Sequence, residues 1–512
     1  MNAESRTSKS IRNAKVALLF YFLNLVLQFF SRKIFLDYLG SEVLGLNTTA
    51  QNLLSFLNLA ELGIGSAVAY NLYKPLFDKD HDAINAIVSI QGWLYRRIAY
   101  IVIAGSCILM CFFPMIFAKA NVPLWYAYGS FIVLLISALL SYFVNYRQIV
   151  LSADQKEYKI TFAVQGAKLT KVLLQILAIS SFDYGYVWWM ALEVTMAIIS
   201  SYILNRAVKN EYPWLKPTVS EGKKLQKLYP GIISKTKQVF FHRIGGFVLT
   251  QTSPLIIYAY ASLTLVAIYG NYMLIVAGVT MLVNALLNSI GAGVGNLVAE
   301  GDKKKIKSVF WELTALHIWI ASIFCFGMYM LGDSFIALWV GEGYTLPYWA
   351  FVILIINTFI SMTRTYDIFI NAYGLFQDIW YPIIEAIVNL SFSILLGYHY
   401  GITGILGGVM ISLVIVVCNW RPYFLYSRGF KENVIEYIIR NIKYIGLLAA
   451  SFFTSKTIIQ KFILLSYNTY LEWIIYSTVV IVTYTIISFV LLYSLDKSSR
   501  DFSKRFLRLI KH

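Results

Sequence analysis

The chain has 512 residues, of which 58% are hydrophobic and only 13% are charged. Soluble domains usually carry about 25% charged residues, so this composition excludes an ordinary water-soluble fold. The net charge of +17 would suggest a nucleic-acid partner in a soluble protein, but cytoplasmic loops of membrane proteins also collect lysine and arginine. We therefore expect a multi-pass membrane protein that binds no nucleic acid.

Apolar segments long enough to cross a bilayer recur along the whole chain. A span takes about 20 apolar residues, and fourteen segments meet that length. They lie near residues 14–37, 43–72, 86–116, 124–148, 160–181, 185–206, 237–259, 263–298, 308–332, 346–371, 380–399, 402–425, 437–459 and 469–494. The sequence predicts an all-α protein with about 14 transmembrane helices.

Basic residues concentrate in alternate connections. They cluster at the N-terminus, at 206–237, at 300–307, after the twelfth span and in the tail, whereas 333–347 contains no lysine or arginine. This pattern predicts that both termini are cytoplasmic, and it requires an even number of spans.

Two halves of the chain share features that predict an internal repeat. The segment Gly63–Val68 ends the second span, and the similar Ser289–Val294 ends the eighth. The one long polar connection, at about 206–237, separates two sets of six spans and contains three prolines. We predict an N-terminal lobe at 1–206, a cytoplasmic linker at 207–236, a C-terminal lobe at 237–425, and two extra helices with a basic tail at 426–512. Parallel repeats of this kind leave a cleft for cargo between them.

Charged side chains lie inside the predicted spans. A lysine or arginine at a helix centre costs on the order of 2.5–3.5 kcal/mol, so such residues tend to face a watery cavity. The candidates for a cationic, substrate-binding cavity are Arg32, Lys33, Arg96, Arg97, Lys168, Lys171 and Arg243. The candidate coupling or counter-ion residues are Glu61, Glu193, Asp367 and Glu385. Cations gathered in one cavity would suit an anionic cargo such as a phosphate or diphosphate.

Several of these charges also have purely structural interpretations, which the sequence leaves open. Arg96 and Arg97 are adjacent and cannot both face one direction, so we expect one to snorkel towards the surface. Arg32 could snorkel too, and Lys168 could anchor a helix end. Arg364 and Asp367 are three residues apart and could neutralise each other.

Signatures of soluble enzymes are absent from the sequence. It contains no GxxxxGK[ST], HExxH or GxSxG motif, so we expect no catalytic residues, no direct ATP drive and no cofactor. Its four cysteines lie inside apolar runs without a CxxC pair, and we expect core packing and no metal.

Two stretches resemble a known family of transporters. FSRKIFLDYLGSEVLGL at Phe30–Leu46 and LNLAELGIGSA at Leu57–Ala67 are similar to the opening of Wzx-type polysaccharide (O-antigen repeat-unit) flippases, members of the multidrug/oligosaccharidyl-lipid/polysaccharide (MOP) superfamily. In related lipid II flippases an arginine follows Phe-Ser on the first helix and lines the cationic cavity, and Arg32 matches that pattern. Those relatives also carry cationic residues on the eighth helix, which have no counterpart in this sequence. Arg243, on the seventh predicted span, is the candidate to replace them.

The resemblance implies a function in surface-glycan assembly. It implies alternating-access, ion-coupled transport of undecaprenyl-diphosphate-linked oligosaccharide from the cytoplasmic to the periplasmic leaflet of a bacterial inner membrane. The implied partners are this glycan, membrane lipids, and the polysaccharide polymerase and chain-length machinery. A drug or metabolite antiporter of the same fold and an integral-membrane glycan polymerase or ligase are the alternatives.

Overall fold

The computed structural model describes residues 6–510 except residues 62, 376–377, 379 and 463–468. Within these helices, the described part excludes the side chains at 6–11, 14, 60, 238, 241–246, 248–250, 284–292 and 506–510. Every regular element in the described part is a helix. The predicted all-α class is therefore confirmed.

The first compact unit, Met1–Ala267, is built from seven long helices. They are α1 (Arg6–Leu57), α2 (Ile64–Asp78), α3 (His81–Cys111), α4 (Leu124–Phe143), α5 (Glu157–Ser181), α6 (Gly185–Glu211) and α7 (Pro230–Tyr260). Short helical turns join them at Asn58–Glu61, Phe113–Ile116, Asn145–Gln148, Ile149–Ala153, Val219–Glu221, Gly222–Leu225 and Gln226–Leu228.

The second compact unit is Ile268–His512, and its first helix begins a few residues earlier. Its helices are α8 (Leu263–Glu300), α9 (Lys303–Val340), α10 (Tyr348–Met362), α11 (Thr365–Ala372), α12 (Trp380–Ser412), α13 (Ile435–Phe462), α14 (Tyr470–Leu495) and α15 (Lys497–Ile510). Wider helical turns at Leu413–Trp420 and Leu425–Phe430, with an α-helical turn at Arg421–Phe424 between them, continue α12. One short turn lies at Glu342–Tyr344. The predicted lobe boundaries and the repeat stay predictions.

Eleven helices of the described part are long and apolar enough to cross a membrane. Two of these segments are interrupted by a glycine: Trp380–Phe430 contains the predicted spans 380–399 and 402–425, and Lys15–Leu57 contains most of 14–37 and the first half of 43–72. The rest of 43–72 lies in a turn and in α2, so that single span is not one helix. Gly40 has φ of 82° and Gly401 has φ of 55°, a region that side chains with a Cβ rarely adopt. The predicted span 237–259 lies in α7, whose side chains are described only in part. The multi-pass class is confirmed, and the count of fourteen is approximate.

The Gly401 break folds α12 back on itself as two antiparallel arms. The Ser393 hydroxyl donates to the Ile405 carbonyl at 3.0 Å across the pair. A Cβ on Gly404 would lie 1.9 Å from the Leu396 carbonyl oxygen, and one on Gly408 would lie 2.3 Å from the Ser393 nitrogen. Gly404 and Gly408 form a GxxxG motif, and only glycine at these positions allows the two backbones to approach so closely.

Replacing Gly408 by alanine is expected to destabilise the protein by about 1–3 kcal/mol, because the added methyl group forces the two arms apart. The matched control is Gly446→Ala on α13, where nothing lies within 4 Å of the added Cβ. There the helix propensity of alanine should leave stability unchanged or slightly raised. Thermal unfolding in detergent measures both, and equal midpoints for the two variants would contradict the packing argument.

The polar segment between α6 and α7 is held against α3. The Lys216 amide donates to Asn85 Oδ1 at 2.7 Å, and the Thr218 amide donates to Ser89 Oγ at 2.8 Å. A Cβ on Gly222 would lie only 2.4 Å from Cβ of Trp93. This stretch therefore packs as part of the first unit instead of forming an extended tether.

Candidate functional site

Arg32 lies in the part of α1 that precedes the break at Gly40, and its side chain is half-buried. One guanidinium nitrogen, Nη2, donates to the backbone carbonyl of Ala267 at 2.9 Å. That carbonyl belongs to the first turns of α8, within the first unit. The guanidinium is therefore held among helices by a polar backbone group, which reduces the cost of placing a charge in an apolar span.

Lys33 has a different environment from its neighbour. Its ammonium lies 3.4 Å from the carboxylate of Asp37, one turn along α1, and both side chains are nearly half exposed. Successive residues of a helix point about 100° apart, which explains why these adjacent cations face different surroundings.

A half-buried ion pair joins α5 to α6. Lys171 Nζ donates to Glu193 Oε1 at 2.5 Å, and Gln175 Nε2 donates to Glu193 Oε2 at 3.1 Å. Glu193 therefore has the geometry of a counter-ion. Lys168, one turn earlier on α5, is half-buried and forms no ion pair with any described carboxylate.

Replacing Glu193 by glutamine is expected to destabilise the first unit by about 2 kcal/mol, because it leaves the Lys171 ammonium without a carboxylate. The double variant Lys171→Met/Glu193→Gln should recover most of that loss, since neither charge then remains. Unfolding midpoints of the single and double variants measure the coupling. Additive effects in this cycle would show that the two side chains do not interact.

The remaining predicted charges of the first unit lie in the short turn Asn58–Glu61 after α1 and on α3. Glu61 accepts a hydrogen bond from the Tyr95 hydroxyl at 3.0 Å. Arg96 and Arg97 are both exposed, and the Arg97 guanidinium lies 4.3 Å from the centre of the Trp93 ring. The structure thus brings Lys171 and Glu193 together and leaves both α3 arginines on its surface. Arg243 lies on α7, but its side chain is outside the described residues.

The second unit contains a network of charges and tyrosine around Asp367. Arg364 Nε donates to Asp367 Oδ2 at 2.8 Å, and Arg421 Nε donates to Asp367 Oδ1 at 2.7 Å. Arg364 also donates to the Tyr381 hydroxyl at 2.9 Å, and the Arg421 guanidinium lies 4.7 Å from the centre of the Tyr381 ring. One carboxylate therefore holds two guanidinium groups from separate helical segments.

Glu385 lies one turn after Tyr381 on α12 and is 2% exposed. Its Oε1 atom has no hydrogen-bond partner among the described residues. Among charged groups, Arg364 of the Asp367 network has the strongest electrostatic interaction with it. Glu385 is thus a buried carboxyl group with one oxygen available to a proton or a cation.

Polar residues without charge also join the helices, and a search restricted to charges misses them. Asn24 Nδ2 on α1 donates to Gln165 Oε1 on α5 at 3.1 Å. Asn47 Oδ1 accepts from both Ser130 and Tyr186 at 2.7 Å, so one amide links three helices. The available signal was an asparagine in an otherwise apolar run, because a buried amide needs partners.

Solved structures share this arrangement of helices, whereas sequence comparison finds nothing. No family model matches the chain, and no curated protein matches it. The lipid II flippase MurJ in an inward closed conformation is similar with a TM-score of 0.65 and 14% identity, over 95% of this chain and 99% of that one. An inward-facing multidrug resistance MATE family transporter of the MOP superfamily is similar with a TM-score of 0.56 and 14% identity, over 82% of this chain and 99% of that one.

A further similar structure has a different polarity at its binding site. It is a MOP superfamily transporter from Pyrococcus furiosus, described as having a binding pocket of reverse polarity. Its TM-score is 0.50 and its identity 12%, over 83% of this chain and 97% of that one. At these identities the likeness shows the fold alone. The chain has the fold of MOP-superfamily flippases and transporters.

Proposed function

We propose that this protein is a flippase that moves undecaprenyl-diphosphate-linked oligosaccharide repeat units from the cytoplasmic to the periplasmic leaflet by alternating access. The observation that carries the proposal is the fold shared with a lipid II flippase over 95% of the chain. The proposed location is the bacterial inner membrane with both termini cytoplasmic, and the proposed partners include a glycan polymerase and its chain-length machinery.

A diphosphate-linked cargo needs positive charge within the apolar helices of its carrier. Arg32 and Lys168 supply half-buried cations on α1 and α5 of the first unit. An arginine can bind a phosphate through two parallel hydrogen bonds, and a lysine adds a compact point charge. We assign the strongest phosphate contacts to these two residues, since Glu193 already offsets Lys171. Lys33, Arg96, Arg97 and Arg243 remain proposed contributors along the path.

The test of this function uses purified protein in liposomes with a fluorescent undecaprenyl-diphosphate oligosaccharide. A membrane-impermeant quencher reports the fraction of cargo in the outer leaflet, and the flippase should raise the rate at which inner-leaflet cargo becomes accessible. Deletion of the gene in a host with a known surface glycan should block export of the repeat unit. Unimpaired export in a host without a paralogue would contradict the proposal.

We propose that Glu385 couples transport to an ion gradient. Its carboxyl group is buried and has one oxygen without a hydrogen bond, so uptake of a proton or cation there need not break an existing contact. Glu61, Glu193 and Asp367, by contrast, are engaged with Tyr95, Lys171 and two arginines respectively. These three remain proposed counter-ions.

Glu385→Gln is expected to keep normal stability and basal flipping but to lose stimulation by a proton or sodium gradient across the liposome membrane. The amide has nearly the same shape, and Oε1 has no hydrogen bond to lose. The control Glu342→Gln changes an exposed carboxylate in the short turn after α9 and should respond to the gradient as the natural protein does. Full stimulation of the Glu385 variant would refute the coupling role.

Antiport of organic cations is the second candidate function, and two observations favour it. A buried carboxyl group suits a cationic cargo, and a multidrug transporter shares the fold. Drug-sensitivity profiles of a deletion strain separate the two functions, because an antiporter protects its host from cationic drugs and a glycan flippase does not.

A further inference from the structure

A concave surface rich in positive charge lies at the end of α6 in the first unit. Its cavity has a volume of about 600 Å³, and its lining includes Arg147, Arg206, Lys209 and Lys216. No carboxylate side chain lines it. Four cations facing one cavity without an acid repel one another, so the arrangement favours an anion between them.

Three separate segments supply these cations, and hydrogen bonds hold each segment in place. Arg147 lies in the turn Asn145–Gln148, where Asn145 Nδ2 donates to Ser201 Oγ on α6 at 3.0 Å. Arg206 and Lys209 lie on the last turns of α6 itself. The Lys216 amide is tied to Asn85 on α3 at 2.7 Å. The backbone around the cavity is therefore fixed before any ligand binds.

The lack of acidic partners distinguishes this surface from the basic groups beside it. Lys156 pairs with Asp154 at 2.5 Å and with Glu211 at 2.7 Å, and Lys159 pairs with Glu211 as well. None of the four cavity cations forms an ion pair among the described residues. The partial charge at a helix C-terminus, roughly half an elementary charge, accounts for about one cation and not four.

The surface lies where α6 changes from apolar to charged. Tyr202 and Ile203, one turn before Arg206, are 65% and 45% exposed. Tyrosine favours the level of the lipid headgroups, and exposed isoleucine favours the acyl chains. A second, mainly apolar groove of about 950 Å³ is lined by residues of α1, α5 and α6, including Arg12 and Lys159. Its α6 residues include Ile199, Ile203 and Ala207, which lie on the face of α6 next to that of Arg206. Space beside cations and space beside apolar residues thus lie on neighbouring faces of one helix.

We propose that this surface binds the headgroup of an anionic phospholipid, with Arg206 and Lys209 on its phosphate and an acyl chain along the apolar groove. Basic pockets between transmembrane helices at the cytoplasmic side suit such headgroups. Arginine contributes a planar fork for phosphate oxygens, whereas lysine contributes a point charge. This inference does not depend on the proposed cargo or on flipping.

The test measures lipid binding to the full chain in detergent micelles. Micelles carry either phosphatidylglycerol or phosphatidylcholine with identical acyl chains, and native mass spectrometry counts bound lipid while thermal unfolding reports stabilisation. We expect phosphatidylglycerol to bind and to raise the unfolding midpoint, and the double variant Arg206→Gln/Lys209→Gln to bind it about thirtyfold more weakly. The matched control Lys223→Gln/Lys224→Gln removes the same charge from a short turn outside the cavity and should bind as the natural protein does.

Three outcomes would overturn the proposal. The first is that phosphatidylcholine stabilises the protein as much as phosphatidylglycerol does. The second is that the double variant binds phosphatidylglycerol as well as the natural protein does. The third is that inorganic pyrophosphate without lipid stabilises the protein as much as phosphatidylglycerol does, which would point to a free anion. Should the double variant not fold, the single variant Lys216→Gln replaces it, because that exposed side chain is outside α6. It is expected to weaken phosphatidylglycerol binding about fivefold, and unchanged binding would count against the assignment.

Discussion

Replacing Asp367 by asparagine should lower the free energy of unfolding by about 3–5 kcal/mol, so that little folded protein remains. The carboxylate holds Arg364 and Arg421 at once, and their side chains are only 27% and 13% exposed. Without it, two guanidinium groups would remain close together in a largely apolar setting. The amide oxygen can accept a hydrogen bond but supplies no negative charge.

The yield of monodisperse protein and the thermal unfolding midpoint in detergent measure this loss. Asp37→Asn is the matched control, because the Lys33–Asp37 pair is nearly half exposed on both sides. An exposed pair contributes less than about 1 kcal/mol, so this control should stay close to the natural midpoint. Similar midpoints for the two variants would mean that the Asp367 network is not a structural support.

Replacing Arg32 by glutamine is expected to lower the rate of cargo flipping about tenfold or more while leaving the protein folded. A charge-assisted hydrogen bond contributes about 1.5–3 kcal/mol, which corresponds to roughly ten- to hundredfold in binding. Glutamine can still donate to the Ala267 carbonyl, so the packing of α1 should persist. Arg32→Lys keeps the charge but not the planar fork and should be intermediate.

The initial flipping rate in liposomes, at equal amounts of folded protein, measures this effect. Lys33→Gln is the control on the neighbouring residue, and its effect should be much smaller because Asp37 already pairs with that exposed ammonium. A flipping rate for Arg32→Gln equal to that of the natural protein would remove Arg32 from the proposed binding site. It would leave the fold and the lipid surface at α6 unaffected.

Hydropathy predicted the helices well because it depends on composition, whereas the breaks within helices depend on single residues. The span 14–37 falls within α1, but only the backbone shows that α1 breaks at Gly40. The same holds for the break at Gly401 within α12. The single span predicted at 43–72 is wrong, because the chain leaves the helix after Leu57 and begins the separate helix α2 at Ile64, next to Gly63 with its φ of 97°.

The partners of the charged residues were harder to predict than their positions. Arg364 and Asp367 share a helical face by spacing, and their pairing was foreseen as one alternative. Arg421 reaches the same carboxylate from 54 residues away, and no spacing rule connects them. Similarly, helical geometry showed that Arg96 and Arg97 differ in direction, but not that both are exposed. Such contacts depend on which helices become neighbours.

The docked segment between α6 and α7 limits where the chain can be labelled. As the longest polar connection, it is the obvious site for inserting an epitope or a fluorescent protein, yet Gly222 has no room even for a methyl group against Trp93. The turn at Gly301 is exposed, and nothing lies within 4 Å of an added Cβ there. Reporter insertions that map the sidedness of the chain should therefore tolerate the Gly301 turn and fail at the longer, more polar loop.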